Sequence, residues 1–255
     1  MTPDYARLGF DVVRGAFSAA EVADLRAAFD RVAAMAKALA QALPDDGPPT
    51  ACMHRGAQFV IARAGLNTRI HRVVWCGAAD RTLLDVGADP RLLNLAAEAL
   101  GHREFDHLIN QAHYKLPGDT VQFPWHQDSV HRRYGTPMWT DVDGTGSYVQ
   151  VAIALDSVAA ENGPLAFIPG SHLQGHIPPR EDGSLPPDSF DPATAIAPTL
   201  SAGDVVLFGP YTIHGSGANT SDRPRRVLIN GYASPGANRR VYPGDGAGRR
   251  LRVPD

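Results

Sequence analysis

The chain has 255 residues, 44% of them hydrophobic and 20% charged, with a formal net charge of −3. That length is too great for a disulfide-stapled miniprotein and fits one large domain or two small ones, and the slight acidity argues against a general nucleic-acid binder. No run approaches the roughly 20 apolar residues of a membrane-spanning helix. The opening residues lack a secretory pattern. The two cysteines, Cys52 and Cys76, make neither a disulfide framework nor a CxxC pair, so the expectation is a reduced, cytoplasmic protein.

Residues 9–13 predict a short strand. Ser18 with Glu21 forms a capping box, and Val22, Leu25, Phe29, Val32 and Leu39 recur at helical spacing until Pro44. A loop is expected over 44–50. Asp89 and Pro90 open a second helix that closes at Gly101, with Leu92, Leu93, Ala96 and Leu100 on one face. From there the texture changes to short β-rich runs between glycine and proline turns, at 108–116, 148–155, 165–168, 205–208 and 227–232. Helices followed by strands predict an α+β, mainly β protein with a sandwich or barrel as its body. The arginines near the C-terminus (239, 240, 249, 250 and 252) are expected to form a solvated basic tail.

Histidine followed two residues later by a carboxylate occurs twice. His102-Arg-Glu104 directly follows the helix-ending Gly101 and reads as structural. His126-Gln-Asp128 ends a β-prone run, where residues i and i+2 point to the same side and can reach one metal. His214, shortly after the strand at 205–208, offers a third ligand. Two histidines and one carboxylate leave coordination positions open, as in non-haem Fe(II) oxygenases, whereas a structural zinc site is closed by four ligands. Arg225 shares a strand face with Val227 and Ile229. If that face is the interior, the buried guanidinium calls for an anion, and its planar fork suits a carboxylate. His54, His71, His107, His172 and His176 show no metal spacing.

These features resemble the phytanoyl-CoA dioxygenase family of Fe(II)/2-oxoglutarate oxygenases: His126-x-Asp128, His214-Gly-Ser216 and an arginine eleven residues beyond His214. The run Asn162-Gly-Pro-Leu-Ala-Phe-Ile-Pro-Gly-Ser-His172, the segment Ala202-Gly-Asp204 and the opening Gly9-Phe-Asp-Val-Val13 resemble the same family. The resemblance implies a single domain over 1–255. Its core would be a double-stranded β-helix, of jelly-roll or cupin-like type, mainly over 105–235, with a helical buttress mainly over 18–101. It implies Fe(II) on His126, Asp128 and His214, and 2-oxoglutarate on Arg225 with help from Ser216. By the same resemblance, Gln111 and Lys115 would contact the cosubstrate. His113 shares their strand face and is a substrate candidate.

Gln150 is expected to face the pocket from the run 148–155, whose other face is Val149, Val151, Ile153 and Leu155. The loop after Asp128 carries Arg132, Arg133 and Trp139, cations and an aromatic that suit an anionic substrate. The expected activity is hydroxylation of an aliphatic C–H bond in a small anionic or zwitterionic molecule. O2 would be consumed, and 2-oxoglutarate would be converted to succinate and CO2. A carboxylate at position 128 favours hydroxylation, where a small residue would admit a halide. Two rivals stand beside this reading. A cupin-like metal isomerase or epimerase without O2 leaves Arg225 without a role, and a non-catalytic binding module leaves Asp128 without one. The sequence does not choose between monomer and homodimer.

Overall fold

In the computed structural model, which describes residues 3–254, helix α1 (Pro3–Leu8) leads into strand β1 (Phe10–Val13). Helix α2 (Ala19–Ala40) starts with the expected reciprocal cap: the Ser18 side chain accepts from the Glu21 amide, and the Ser18 amide donates to the Glu21 carboxylate. Strands β2 (Thr50–His54), β3 (Ala57–Ala64) and β4 (Asn67–Val74) follow as an antiparallel meander. Helices α3 (Arg81–Val86) and α4 (Pro90–Leu100) come next. The Asp89 side chain caps α4, and Gly101 ends it at φ 75°, where a side chain would be strained.

The remaining elements are β5 (Glu104–Lys115), β6 (Phe123–His126), α5 (Asp128–Arg132), β7 (Tyr148–Ala154), β8 (Ala166–Phe167), β9 (Val205–Phe208), β10 (His214–Ser216), β11 (Arg225–Ala233) and β12 (Arg249–Arg252). Among the described residues the strands form two antiparallel sheets. The larger runs β1-β9-β7-β11-β5-β4-β3-β2, with β12 added along the start of β5, and the smaller runs β6-β10-β8. Phe167 of the small sheet stacks on Phe10 and meets Phe208 edge-on, so the two sheets face each other as a double-stranded β-helix.

Alternation along each strand divides the large sheet by face. Val149, Val151, Ile153, Val205, Leu207 and Leu228 join Leu25, Phe29, Val32, Leu92 and Leu93 in one core beneath α2 and α4. The opposite face is left for the cavity between the sheets.

Two expectations need correction. The buttress expected over 18–101 is not mainly helical: residues 50–74 contribute β2–β4 to the large sheet. The C-terminal arginines are not a free tail. The Arg249–Arg252 backbone pairs with Glu104–His107, Arg249 donates to the Leu84 carbonyl, and Arg250 donates to Asp106.

Candidate metal centre

His126 closes β6, Asp128 opens α5 and His214 begins β10; one ligand atom from each lies within 4.8 Å of the other two. The sequence reading placed His126 and Asp128 on one continuous strand. The chain instead turns into α5, but Gln127 between them keeps an extended backbone (φ −108°, ψ 142°), so the two side chains still converge. His126 and His214 pair directly across β6 and β10.

Each histidine is oriented by a backbone carbonyl. Nδ1 of His126 lies 2.7 Å from the Pro124 oxygen, and Nδ1 of His214 lies 2.9 Å from the Thr212 oxygen. A carbonyl only accepts, so both Nδ1 atoms carry the proton and both Nε2 lone pairs are free to ligate. Burial and the nearby His126 push His214 down to about 3, which keeps it a neutral ligand. Burial alone would raise the Asp128 carboxyl, but the positive charge of the neighbouring Arg132 helps to hold it below its ordinary value. Its Oδ2 is buried without a hydrogen-bond partner. Two imidazoles with their Nδ1 atoms turned to backbone carbonyls and a carboxylate with an orphaned oxygen fit a divalent metal with open coordination positions.

The triad lies in a cavity of about 450 Å³ whose floor includes Arg225 of β11. Arg225 is 2% exposed, and its Nε has no hydrogen-bond partner. The carboxylate whose charge acts on it, Asp156, is already bonded to Arg226 and Arg26. Burial lowers Arg225 to about 10. Its register partner Lys115 is also buried, and burial together with the charge of Arg225 lowers it to about 7. Lys115 donates to the carbonyls of Gly163 and Gly217 and, at 2.7 Å, to the Ser216 hydroxyl. Its three N–H groups are thereby used, and Ser216, accepting from Lys115, keeps its own proton to donate into the cavity.

Gln111, His113, Arg132, Arg133 and Gln150 also line this cavity. His113 Nε2 lies 3.0 Å from Gln111 Oε1 and its ring stacks on Phe123. Burial and the charges of Arg72, Arg225 and Lys115 hold His113 well below its ordinary value, so it is neutral and donates to Gln111. Arg132 is buried between the Tyr148 and Tyr242 rings, 4.0 Å from Asp128. Trp139 does not line the cavity. It packs in a cluster with Tyr134 and Tyr148 and donates to the Gly146 carbonyl. Arg72, Arg240 and Tyr242 line the cavity and were not singled out from the sequence. A separate cavity of about 400 Å³, lined in part by Tyr5, Leu100 and Tyr211, has no charged side chain in its wall.

A profile of the phytanoyl-CoA dioxygenase family matches residues 5–227. The chain is 34% identical over 176 residues to an L-proline trans-4-hydroxylase of Streptomyces griseoviridis, covering 56% of this chain and 59% of that protein. It is 30% identical over 220 residues to an ectoine dioxygenase of Halomonas elongata, covering 78% of this chain and 63% of that one. The chain thus spans about three-fifths of the length of these relatives. Among solved structures, it is similar to EctD from S. alaskensis (TM-score 0.69, 24% identity, 99% of this chain and 83% of that one). It is also similar to EvdO2 from Micromonospora carbonacea var. aurantiaca, solved with 2-oxoglutarate (TM-score 0.64, 25% identity, 94% and 92%).

Proposed function

The chain belongs to the phytanoyl-CoA dioxygenase family, and from that premise we propose that it is an Fe(II)- and 2-oxoglutarate-dependent oxygenase that hydroxylates a small anionic or zwitterionic molecule. One observation carries the reading: a buried arginine without a carboxylate partner shares a cavity with a complete two-histidine, one-carboxylate set. An isomerase working without O2 needs the triad but gives Arg225 nothing to bind.

His126, Asp128 and His214 would hold the iron. Fe(II), 2-oxoglutarate and O2 together supply the oxidising chemistry, with succinate and CO2 as co-products of C–H hydroxylation. Arg225 would take the distal carboxylate of 2-oxoglutarate in its planar fork, and Ser216 would add a hydrogen bond. Lys115 fixes the Ser216 hydroxyl from behind and contributes charge. Phe123 and His113, stacked at 4.9 Å, wall the cavity beside this position and help exclude water.

Charge supports the substrate class. Arg72, Arg132, Arg133, Arg225 and Arg240 line the cavity, and Asp128 is the one carboxylate among its lining residues. A cavity of about 450 Å³ suits a compact molecule rather than a long acyl chain with its carrier.

The test is an anaerobic titration with Fe(II) and then 2-oxoglutarate, followed through their weak visible charge-transfer band. The band is expected in the wild-type protein and not in His126→Ala, with succinate release then used to screen substrates. Absence of the band in the wild type, with tight Zn(II) or Mn(II) binding instead, would overturn the oxygenase reading in favour of the isomerase.

A further inference from the structure

We propose that Arg72, with the side-chain amides of Gln58 and Gln111, forms a second anion subsite in this cavity, which takes a carboxylate of the substrate. The inference rests on the reading that the Arg225 position holds 2-oxoglutarate. Arg72 lies on β4 and lines the cavity, half-buried, and among the described residues no hydrogen bond or ion pair engages its guanidinium. An arginine drawn in from solvent without a partner is costly unless an anion meets it.

The register shows why this is a different subsite from the first. Val73 pairs with Ala112 and Val74 with Gln111, so the next position brings Arg72 beside His113 on β5, and His113 pairs with Val227 on β11. Lys115 and Arg225 form the next row along the same face. Two strand spacings and one row separate Arg72 from Arg225, roughly 12 Å between their backbones. The neutral His113 ring stands between the two cations.

The neighbours of Arg72 are donors. Gln58 pairs with Val74, which pairs in turn with Gln111, so both amides lie one row from Arg72 on the cavity face. His113 donates to Gln111 Oε1, which leaves the Gln111 Nε2 hydrogens for a ligand. A planar guanidinium flanked by amide donors matches a carboxylate, which accepts on both oxygens.

The test uses the protein loaded with Mn(II) and 2-oxoglutarate and a panel of matched pairs: small amino, imino and hydroxy acids of three to eight carbons, L-proline among them, each with its primary amide. Binding is read by thermal shift and confirmed by calorimetry. The expected result is that acids bind and their amides do not. Arg72→Gln should weaken the acids at least tenfold while changing 2-oxoglutarate affinity less than twofold, and Arg72→Lys should restore part of the loss. Three results would overturn the subsite: acids and amides binding equally, no acid binding at 10 mM, or Arg72→Gln binding acids as the wild type does. A large loss of 2-oxoglutarate affinity in Arg72→Gln would assign Arg72 to the cosubstrate instead. Failure of the wild type to bind 2-oxoglutarate at all would mark failure of the underlying oxygenase reading.

Discussion

Arg225 and Lys115 face each other across the β11–β5 ladder, both buried, and neither forms an ion pair with a carboxylate among the described residues. Two like charges placed side by side in a low-dielectric interior destabilise the metal-free protein. The arrangement makes sense as a cage built for an anion that arrives later.

Replacing Arg225 by Met should therefore act in opposite directions on stability and on binding. Removing a buried, uncompensated charge should stabilise the ligand-free protein by about 1–3 kcal/mol, a rise in Tm of roughly 2–6 °C for a chain of this size. Loss of the fork should weaken 2-oxoglutarate by about 2–4 kcal/mol, roughly 30- to 1000-fold. Calorimetry on the pair of proteins measures both. A variant less stable than the wild type would show that Arg225 is a structural residue.

Lys115 gives a pH signature. Its ammonium titrates near 7 in the ligand-free protein because burial and Arg225 disfavour its charge. A bound carboxylate favours that charge and raises the value, so above pH 7 binding must take up a proton. Affinity for 2-oxoglutarate is expected to fall from pH 7 upward, by at most about tenfold per pH unit. Lys115→Gln should bind more weakly at pH 6.5 and lose this slope. A wild-type affinity flat between pH 6.5 and 9 would exclude the coupling.

The legible part of this site lay along single strands. His126, His214 and Arg225 each sit where local alternation and chain spacing speak for them, and Gln150 faces the cavity as the 148–155 pattern implies. The meander over 50–74 does not read as strands because a register shift at Val60/Ile61 breaks its period of two, and because β3 and β4 turn Gln58 and Arg72 to the cavity. Strand β12 reads as a basic tail because three of its four residues are arginine; its pairing with β5 uses backbone groups, which leave no mark in composition. Arg72, Arg240 and Tyr242 reach the cavity through cross-strand and chain-end packing, which spacing along the chain does not record. Trp139, expected on a substrate-facing loop, stacks its ring on Tyr134 and lies in the core instead.

Gln127, between two of the proposed metal ligands, is expected to be a positioning residue. It is fully buried; its Nε2 donates to the carbonyls of Gly175 and Tyr211, and its Oε1 accepts from the Ile177 amide and the Ser129 hydroxyl. It thereby ties the His126–Asp128 turn to the segment just before His214. Gln127→Ala leaves these partners unsatisfied and should cost about 2–4 kcal/mol of stability, with metal affinity falling roughly 10- to 100-fold. The second effect is the diagnostic one, read by Mn(II) titration well below the variant's Tm. A lower Tm with unchanged metal affinity would reduce Gln127 to a packing role.

The last prediction concerns acid stability and lies outside the cavity. His107 is fully buried, with its ring between Trp75 and Tyr232. Arg249 Nε donates to its Nδ1 at 3.2 Å, so Nε2 carries the proton and donates to Asn230 Oδ1 at 3.0 Å. Burial and the charge of Arg249 push it down to about 3, whereas an unfolded histidine titrates near 6.5. Below pH 6.5 the unfolded chain therefore binds a proton that the native protein refuses, and stability must fall as pH drops toward 3. His214, also pushed down to about 3, adds a loss of the same sign in the metal-free protein. Together they predict a slope approaching about 2.7 kcal/mol per pH unit between pH 6 and 4.5, near two protons. In His107→Gln the slope should shrink by about one proton, measured by urea unfolding at a series of pH values. An unchanged slope in that variant would mean that His107 is not held neutral in the native protein.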